Sequence, residues 1–393
     1  MHVIRAACSL VLLAVLASPG QAASLNDWQQ RAVGVVIKFE GSSYEAMTAD
    51  FDCQGLTVGK GQWTVEGGSA KILFDDVARR MGEAPFAAFL GRLESQEGEA
   101  SPRDTSLTAA IAAARQGNKA EALRVVRSWQ QQKGATDWTA LVEGDCGRSQ
   151  TRSSEVRFAP DAAAVKRLRL FLRDETVAVS QEALLNHSAD QALERAICWA
   201  KVVRGDTRPK FYEFLFFYDY LIQNGGRWVN ESELFDVVAR FDVEEGKPAQ
   251  ADRYMVAKMQ QLRDWLMADF PYIRTAVPPG FLAHARYAAD NAKAWFGLFE
   301  AGKLDKSQVK LLYVGLLRAM LGNNVYSYVA MNRRGTVVTG QGLVNNTPHD
   351  LAPLSAQSGD LDRAEISKAV ARISSKVTQQ FRSKAARVDV CRV

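Results

Sequence analysis

From residue 104 onward, apolar residues recur at helical spacing in one segment after another, and this pattern restricts the fold more than any other feature of the chain. Candidate helices cover 104–116, 118–131, 161–183, 187–203, 207–223, 231–239, 249–270, 280–301, 306–321 and 363–386. Polar, glycine-bearing breaks fall at 92–103, 143–160, 224–229 and 335–360. Strand signals are few: a glycine-rich ribbon over 50–65 and a run from Thr336 to Val344. Strands and helices never alternate in βαβ order, which excludes a nucleotide-binding parallel sheet, and no repeat of fixed period occurs. The expected class is mainly α, formally α+β, with a small β element near the N-terminal end. Ahead of the ribbon, Leu25, Trp28, Ala32, Val35, Val36 and Phe39 fall at near-helical spacing, with Gly41 placed to end that helix. Ser69 could cap another running to about Met81.

The chain opens MHVIRAACSLVLLAVLASPGQAAS: an arginine, an apolar stretch from Ala6 to Ala17, then small residues. That order is expected of an export signal over 1–23, cut after Ala22 or Ala23. Its apolar core is shorter than the ~20 residues a membrane span needs, and no later stretch reaches that length. The expectation is a periplasmic or secreted protein without stable membrane insertion. About 370 residues remain, read as an N-terminal lobe over 24–91, a candidate insertion over 92–160 and a helical lobe over 161–393.

Basic residues number 49 against 44 acidic ones, a slight excess that suits an anionic polymer. No basic block with interleaved aromatics points to nucleic acid, and nothing in the sequence sets an oligomeric state. Beyond the leader stand Cys53, Cys146, Cys198 and Cys391, an even count that in an exported chain suggests two disulfides with three connectivities. They are scattered singly, and neither CxxC nor HExxH occurs, so no metal site and no cofactor are expected.

The stretch FEGSSYEAMTADFDCQGLTVGKGQW, residues 39–63, carries the candidate chemistry. Glu40 closes the first helix, where the negative end of the helix dipole and apolar Val36, Ile37 and Phe39 would all raise a carboxyl pKa. A carboxylic acid still protonated near neutral pH is what general-acid cleavage of a glycosidic bond requires. Asp50 and Asp52 precede the ribbon and could supply the second carboxylate, with Thr57 positioning water. Gln62 and Trp63 offer an amide and a ring suited to sugar hydroxyls and a sugar's apolar face. The plain alternative is a set of surface acids and an Asp-Gly turn, and Glu45 and Glu66 are further candidates nearby.

This stretch resembles the active-site segment of the lysozyme-like superfamily, particularly proteins related to bacterial chitosanases. Those carry a helix-end Glu, an Asp at the start of a β-ribbon and a G-[LMY]-[ST]-x-G pattern, here Gly55-Leu56-Thr57-Val58-Gly59. FYEFLFFYDYLIQNGG, residues 211–226, is similar to their central buried helix. NRRGTVVTGQGLVNNTPHDL, residues 332–351, is similar to their C-terminal Arg-Arg, Gly-x-Gly-x-Val and Asp-Leu segment.

The resemblance implies a lysozyme-like fold and a glycoside hydrolase of β-1,4-linked amino-sugar polymers. Peptidoglycan is the first substrate and chitosan the alternative; a non-catalytic wall-binding scaffold is a third reading. It implies Glu40 as general acid and Asp52, with Asp50 as fallback, as second carboxylate, acting with inversion. Arg333 and Arg334 could bind a carboxylate of the wall polymer or brace the cleft by pairing with Asp219. The chain departs from the pattern at Lys60, where the family usually carries a hydrophobic residue, and at Cys53, which could pin the ribbon with Cys146 as candidate partner.

Overall fold

The computed structural model describes residues 22–40, 43–49, 55–95, 106–132, 156–160, 162–223, 256–261, 263–264, 279–320 and 326–381. Within them the chain is mainly helical with small antiparallel sheets. The helices are α1 (Leu25–Glu40), α2 (Ser69–Met81), α3 (Glu83–Ser95), α4 (Leu107–Arg115), α5 (Lys119–Ser128), α6 (Ala163–Arg173), α7 (Glu175–Arg204) and α8 (Phe211–Gln223). There follow α9 (Pro279–Glu300), α10 (Lys306–Met320), α11 (Tyr326–Thr339), α12 (Ala352–Gln357) and α13 (Arg363–Phe381). The strands are β1 (Met47–Ala49), β2 (Leu56–Val58), β3 (Trp63–Thr64), β4 (Gln130–Gln132), β5 (Val156–Phe158), β6 (Gln341–Val344) and β7 (Thr347–Asp350).

Helix α8 is the centre of the packing. Every residue from Phe211 to Ile222 is buried, because the sequence is aromatic or aliphatic on all sides of the helix. Helices α1, α7 and α11 surround it. Trp28 of α1 meets Phe211 and Phe214 at 5.5 Å each, and Phe214 stacks on Tyr218 at 5.9 Å. The two acidic residues within it are handled differently. Glu213 is satisfied by the Arg204 fork, the Lys210 amide and Ser307. Among the described residues, Asp219 is bonded through one oxygen only.

Three boundaries differ from those read off the sequence. The break inside 161–204 falls at Asp174, whose carboxylate caps α7 through the Thr176 amide at 2.8 Å, and α7 then runs unbroken for 30 residues. Residues 83–95 form a helix that the sequence reading did not assign. Thr336 to Thr339 continue α11 instead of starting a strand: Thr336 and Thr339 donate their hydroxyls to carbonyls four residues back, at 2.7 and 2.8 Å. Residues 231–239 lie outside the described residues.

The described part of 92–160 packs under the ribbon. Helix α5 covers β2, β5 lies against β1, and Gln130 donates to the Gly55 carbonyl at 2.6 Å.

Candidate functional site

The site is built around the C-terminal end of α1. Its apolar stripe of Trp28, Ala32, Val35, Val36 and Phe39 is buried, so the helix delivers its last residue, Glu40, at a fixed place beside α8. The backbone of Glu40 belongs to the helix; its side chain lies outside the described residues, as do Asp50 and Asp52.

Three side chains grip Phe39. The β6–β7 hairpin turns through Asn345 and Asn346, both with positive φ (50° and 63°), the conformation a two-residue turn of this hand requires. The Asn345 side chain donates to the Phe39 carbonyl at 2.6 Å, satisfying an acceptor left open at the helix end. His349 of β7 meets the Phe39 ring edge-on at 5.0 Å. The third grip is Arg333 of α11, whose guanidinium lies 5.4 Å from the Phe39 ring centre. The hairpin is itself held by Asn291 of α9, which accepts from the Leu343 amide at 2.7 Å and donates to its carbonyl at 2.9 Å.

Arg333 also meets Asp219 of α8 at 2.5 Å, and Arg334 lies over the Tyr220 ring at 4.7 Å. Both arginines are buried. Burial raises the Asp219 carboxyl to about 7 and lowers Arg333 to about 9, while Arg334 pulls Asp219 the other way. The short contact favours the charged pair. These positions correct one expectation: Arg333 and Arg334 are not presented to solvent for a polymer carboxylate, and Arg333 braces α8 against α1 through Asp219 and Phe39.

The ribbon is the antiparallel sheet β1-β2-β3, with Thr48 opposite Thr57 and Thr57 opposite Thr64. Alternation puts these three threonines on one face and Leu56 and Val58 on the other. Thr57 is 8 % exposed. The residues joining β1 to β2, numbers 50–54, carry Asp50, Asp52 and Cys53. Trp63 does not offer an open aromatic face. Its ring packs on its own turn, so close that a Cβ on Gly61 would come within 2.6 Å of it, and 8 % of the residue is exposed. Gln62 is half-buried with φ of 52°, in the turn between β2 and β3.

Lys60 docks on α7. Its Nζ lies 2.8 Å from Glu182 Oε1, 3.0 Å from Tyr44 Oη and 4.4 Å from the Tyr44 ring centre. Gln181 accepts from the Lys60 amide at 2.9 Å and donates to the Tyr44 carbonyl at 3.1 Å. The charge at position 60 is therefore accommodated by a charge on α7. The sequence reading singled out neither Gln181 nor Glu182. The Asn-Asn pair before Thr347 is a turn signal that could have revealed the hairpin.

His349 is half-buried, and burial together with Lys38 lowers its pKa. Glu45 pairs with Arg173 on the surface. Of the four cysteines, Cys198 falls on α7, while Cys53, Cys146 and Cys391 lie outside the described residues, and with them the expected pairings. Among the described residues, no group of three or more His, Cys, Asp or Glu is placed to hold a metal ion, and no helix is long and apolar enough to cross a membrane. Comparison of the chain with protein-family models, with curated proteins and with solved structures finds no match.

Proposed function

We propose that the protein is an exported glycoside hydrolase with a lysozyme-like arrangement, acting on a β-1,4-linked amino-sugar polymer, with peptidoglycan as the first substrate. One observation carries this reading. The three segments whose sequences resemble the chitosanase-related proteins lie far apart in the chain, yet they meet at a single point, the residue before Glu40. Phe39 comes from the first, Asp219 from the second, and Arg333, Asn345 and His349 from the third; Phe39 touches each of the last three, and Arg333 joins them to Asp219.

In the proposed reaction Glu40 protonates the glycosidic oxygen as the bond to the sugar carbon breaks. Asp52 takes a proton from the attacking water, or stabilises positive charge at that carbon, and Thr57 orients the water. The helix end supports the acid's role. Its dipole disfavours a second negative charge there and so favours a carboxyl that keeps its proton.

The test incubates purified protein with peptidoglycan and, separately, with chitosan, beside Glu40→Gln. The wild type should release reducing ends from peptidoglycan, and the variant should lose about 10²–10⁴-fold in rate with an unchanged melting temperature. Product release that survives the substitution removes Glu40 as the acid. Release from chitosan alone moves the substrate, and binding of peptidoglycan without release supports the scaffold reading.

A further inference from the structure

Strands of three, three and two residues make a sheet too small to hold its own place. Something outside must set where it stands. On one side Gln130 holds the Gly55 carbonyl, at the entry to β2. On the other, the turn after β2 rests on two consecutive residues of α7. Gln181 is fully buried, and both ends of its amide are used on backbone groups from the two arms of the ribbon, Tyr44 before β1 and Lys60 after β2. Glu182 takes the Lys60 ammonium and the Tyr44 hydroxyl on the same carboxylate oxygen. The approach is close enough that a Cβ on Gly59, already at φ +72°, would stand 2.5 Å from Gln181 Oε1.

We infer that Gln181 and Glu182 are positioning residues: with Tyr44 and Lys60 they latch the ribbon to α7 and so fix where Thr57 stands relative to the end of α1. The consequence for catalysis rests on the glycosidase reading; the latch itself does not.

The energetics favour a role in register over one in stability. Burial pushes the Glu182 carboxyl up and the Lys60 ammonium down, and Tyr218 of α8 lies within electrostatic reach of the same carboxylate. The Glu182 side chain is still 40 % exposed, so the pair is partly screened by water and adds little to stability. What the charged pair adds is direction. It is made in one register of the ribbon on α7 and lost in the others. The helix carrying the latch is also fixed to α1, through Gln29 and Asn186 one turn beyond Glu182, so a ribbon held by α7 is held relative to α1.

Hydrogen exchange on the full-length protein reads the latch without any substrate. The variants are Glu182→Gln, Lys60→Met and the reciprocal swap Lys60→Glu with Glu182→Lys. Each single variant should speed exchange of the amides at 56–64 by about tenfold, leave α1 and α8 unchanged, and the swap should restore protection. Where wild-type hydrolysis is present, the single variants should lower kcat by about tenfold with KM within about twofold, the split expected when a reacting group is misplaced. Unchanged ribbon exchange in both single variants, equal acceleration in α1 and α8, or a swap that restores nothing overturns the latch. A loosened ribbon with unchanged kcat overturns its positioning role. A wild type inactive on every glycan sinks the glycosidase reading, and exchange still decides the latch.

Discussion

Asp219 reaches Arg333 with one carboxylate oxygen, and the other, Oδ2, has no hydrogen-bond partner among the described residues. A buried carboxylate used by halves is expensive, and burial of the guanidinium adds to the cost. The pair is tolerable because it is mutual: Arg333 and Arg334 stand close enough to repel, and the Asp219 charge is felt by both. Removing it is therefore worse than removing the whole arrangement. Asp219→Ala should cost about 3–5 kcal/mol in urea unfolding, whereas Asp219→Leu combined with Arg333→Met should recover most of that loss. The double variant would still lose the guanidinium over Phe39. If it regains stability but not glycan hydrolysis, the pair serves the end of α1 rather than the core. A single Asp219→Ala as stable as wild type would show that the contact balances nothing.

Helix α11 shows where local pattern and tertiary packing part. Gly335, Gly340 and the β-branched run between them read as a break followed by a strand, yet the helix continues to Thr339. The glycine is there for a neighbour: an added Cβ at 335 would stand 2.0 Å from the Trp295 ring, whose indole nitrogen donates to the Gln341 carbonyl at 2.8 Å. On an exposed helix Gly→Ala gains about 1 kcal/mol. Here Gly335→Ala should instead lower stability by about 1–3 kcal/mol through overpacking, measured by thermal unfolding, and an unchanged or raised melting temperature would mean that Trp295 moves freely. The same division explains what the sequence made legible. The apolar stripe of α1, the all-round apolar α8 and the glycine-punctuated ribbon are local patterns, and each appears in the fold. Gln181 and Glu182 left no local trace, because their partners Tyr44 and Lys60 lie 121 to 138 residues away in the chain. The break at Asp174 was hidden for another reason: the apolar spacing runs on past it, from Leu168, Phe171 and Leu172 to Val177, and the side-chain cap is what marks it off from helix interior.

At the scale of the whole molecule, the two ends of the described chain are stitched together. Ala23 donates to the Asp360 carbonyl at 2.9 Å and accepts from the Asp362 amide at 2.8 Å, a parallel bridge opposite Leu361. Next to it, Ser24 and Asp27 cap α1 reciprocally: the Asp27 amide donates to Ser24 Oγ at 3.1 Å, and the Ser24 amide donates to Asp27 Oδ2 at 3.0 Å. Trp28 completes the seam by donating to the Ser358 carbonyl at 3.0 Å. This geometry bears on the two cleavage positions expected for the proposed export signal. A cut after Ala22 leaves small residues, Gly20 and Ala22, at the positions such processing prefers, and it keeps Ala23 with its amine beside Asp360. A cut after Ala23 would remove both bonds of the bridge and turn the Ser24 amide of the cap into a chain terminus. If the proposed export signal is cut, intact mass and N-terminal sequencing should find the processed chain beginning at Ala23. A version beginning at Ser24 should melt about 2–4 °C lower, as expected for the loss of backbone hydrogen bonds worth about 1 kcal/mol each. A natural terminus at Ser24, with no loss of stability against the longer form, would show that the seam contributes nothing to the fold. The first helix would then be held by its buried apolar stripe and the Gln29–Asn186 contact, and the end that presents Glu40 by the β6–β7 hairpin and Arg333.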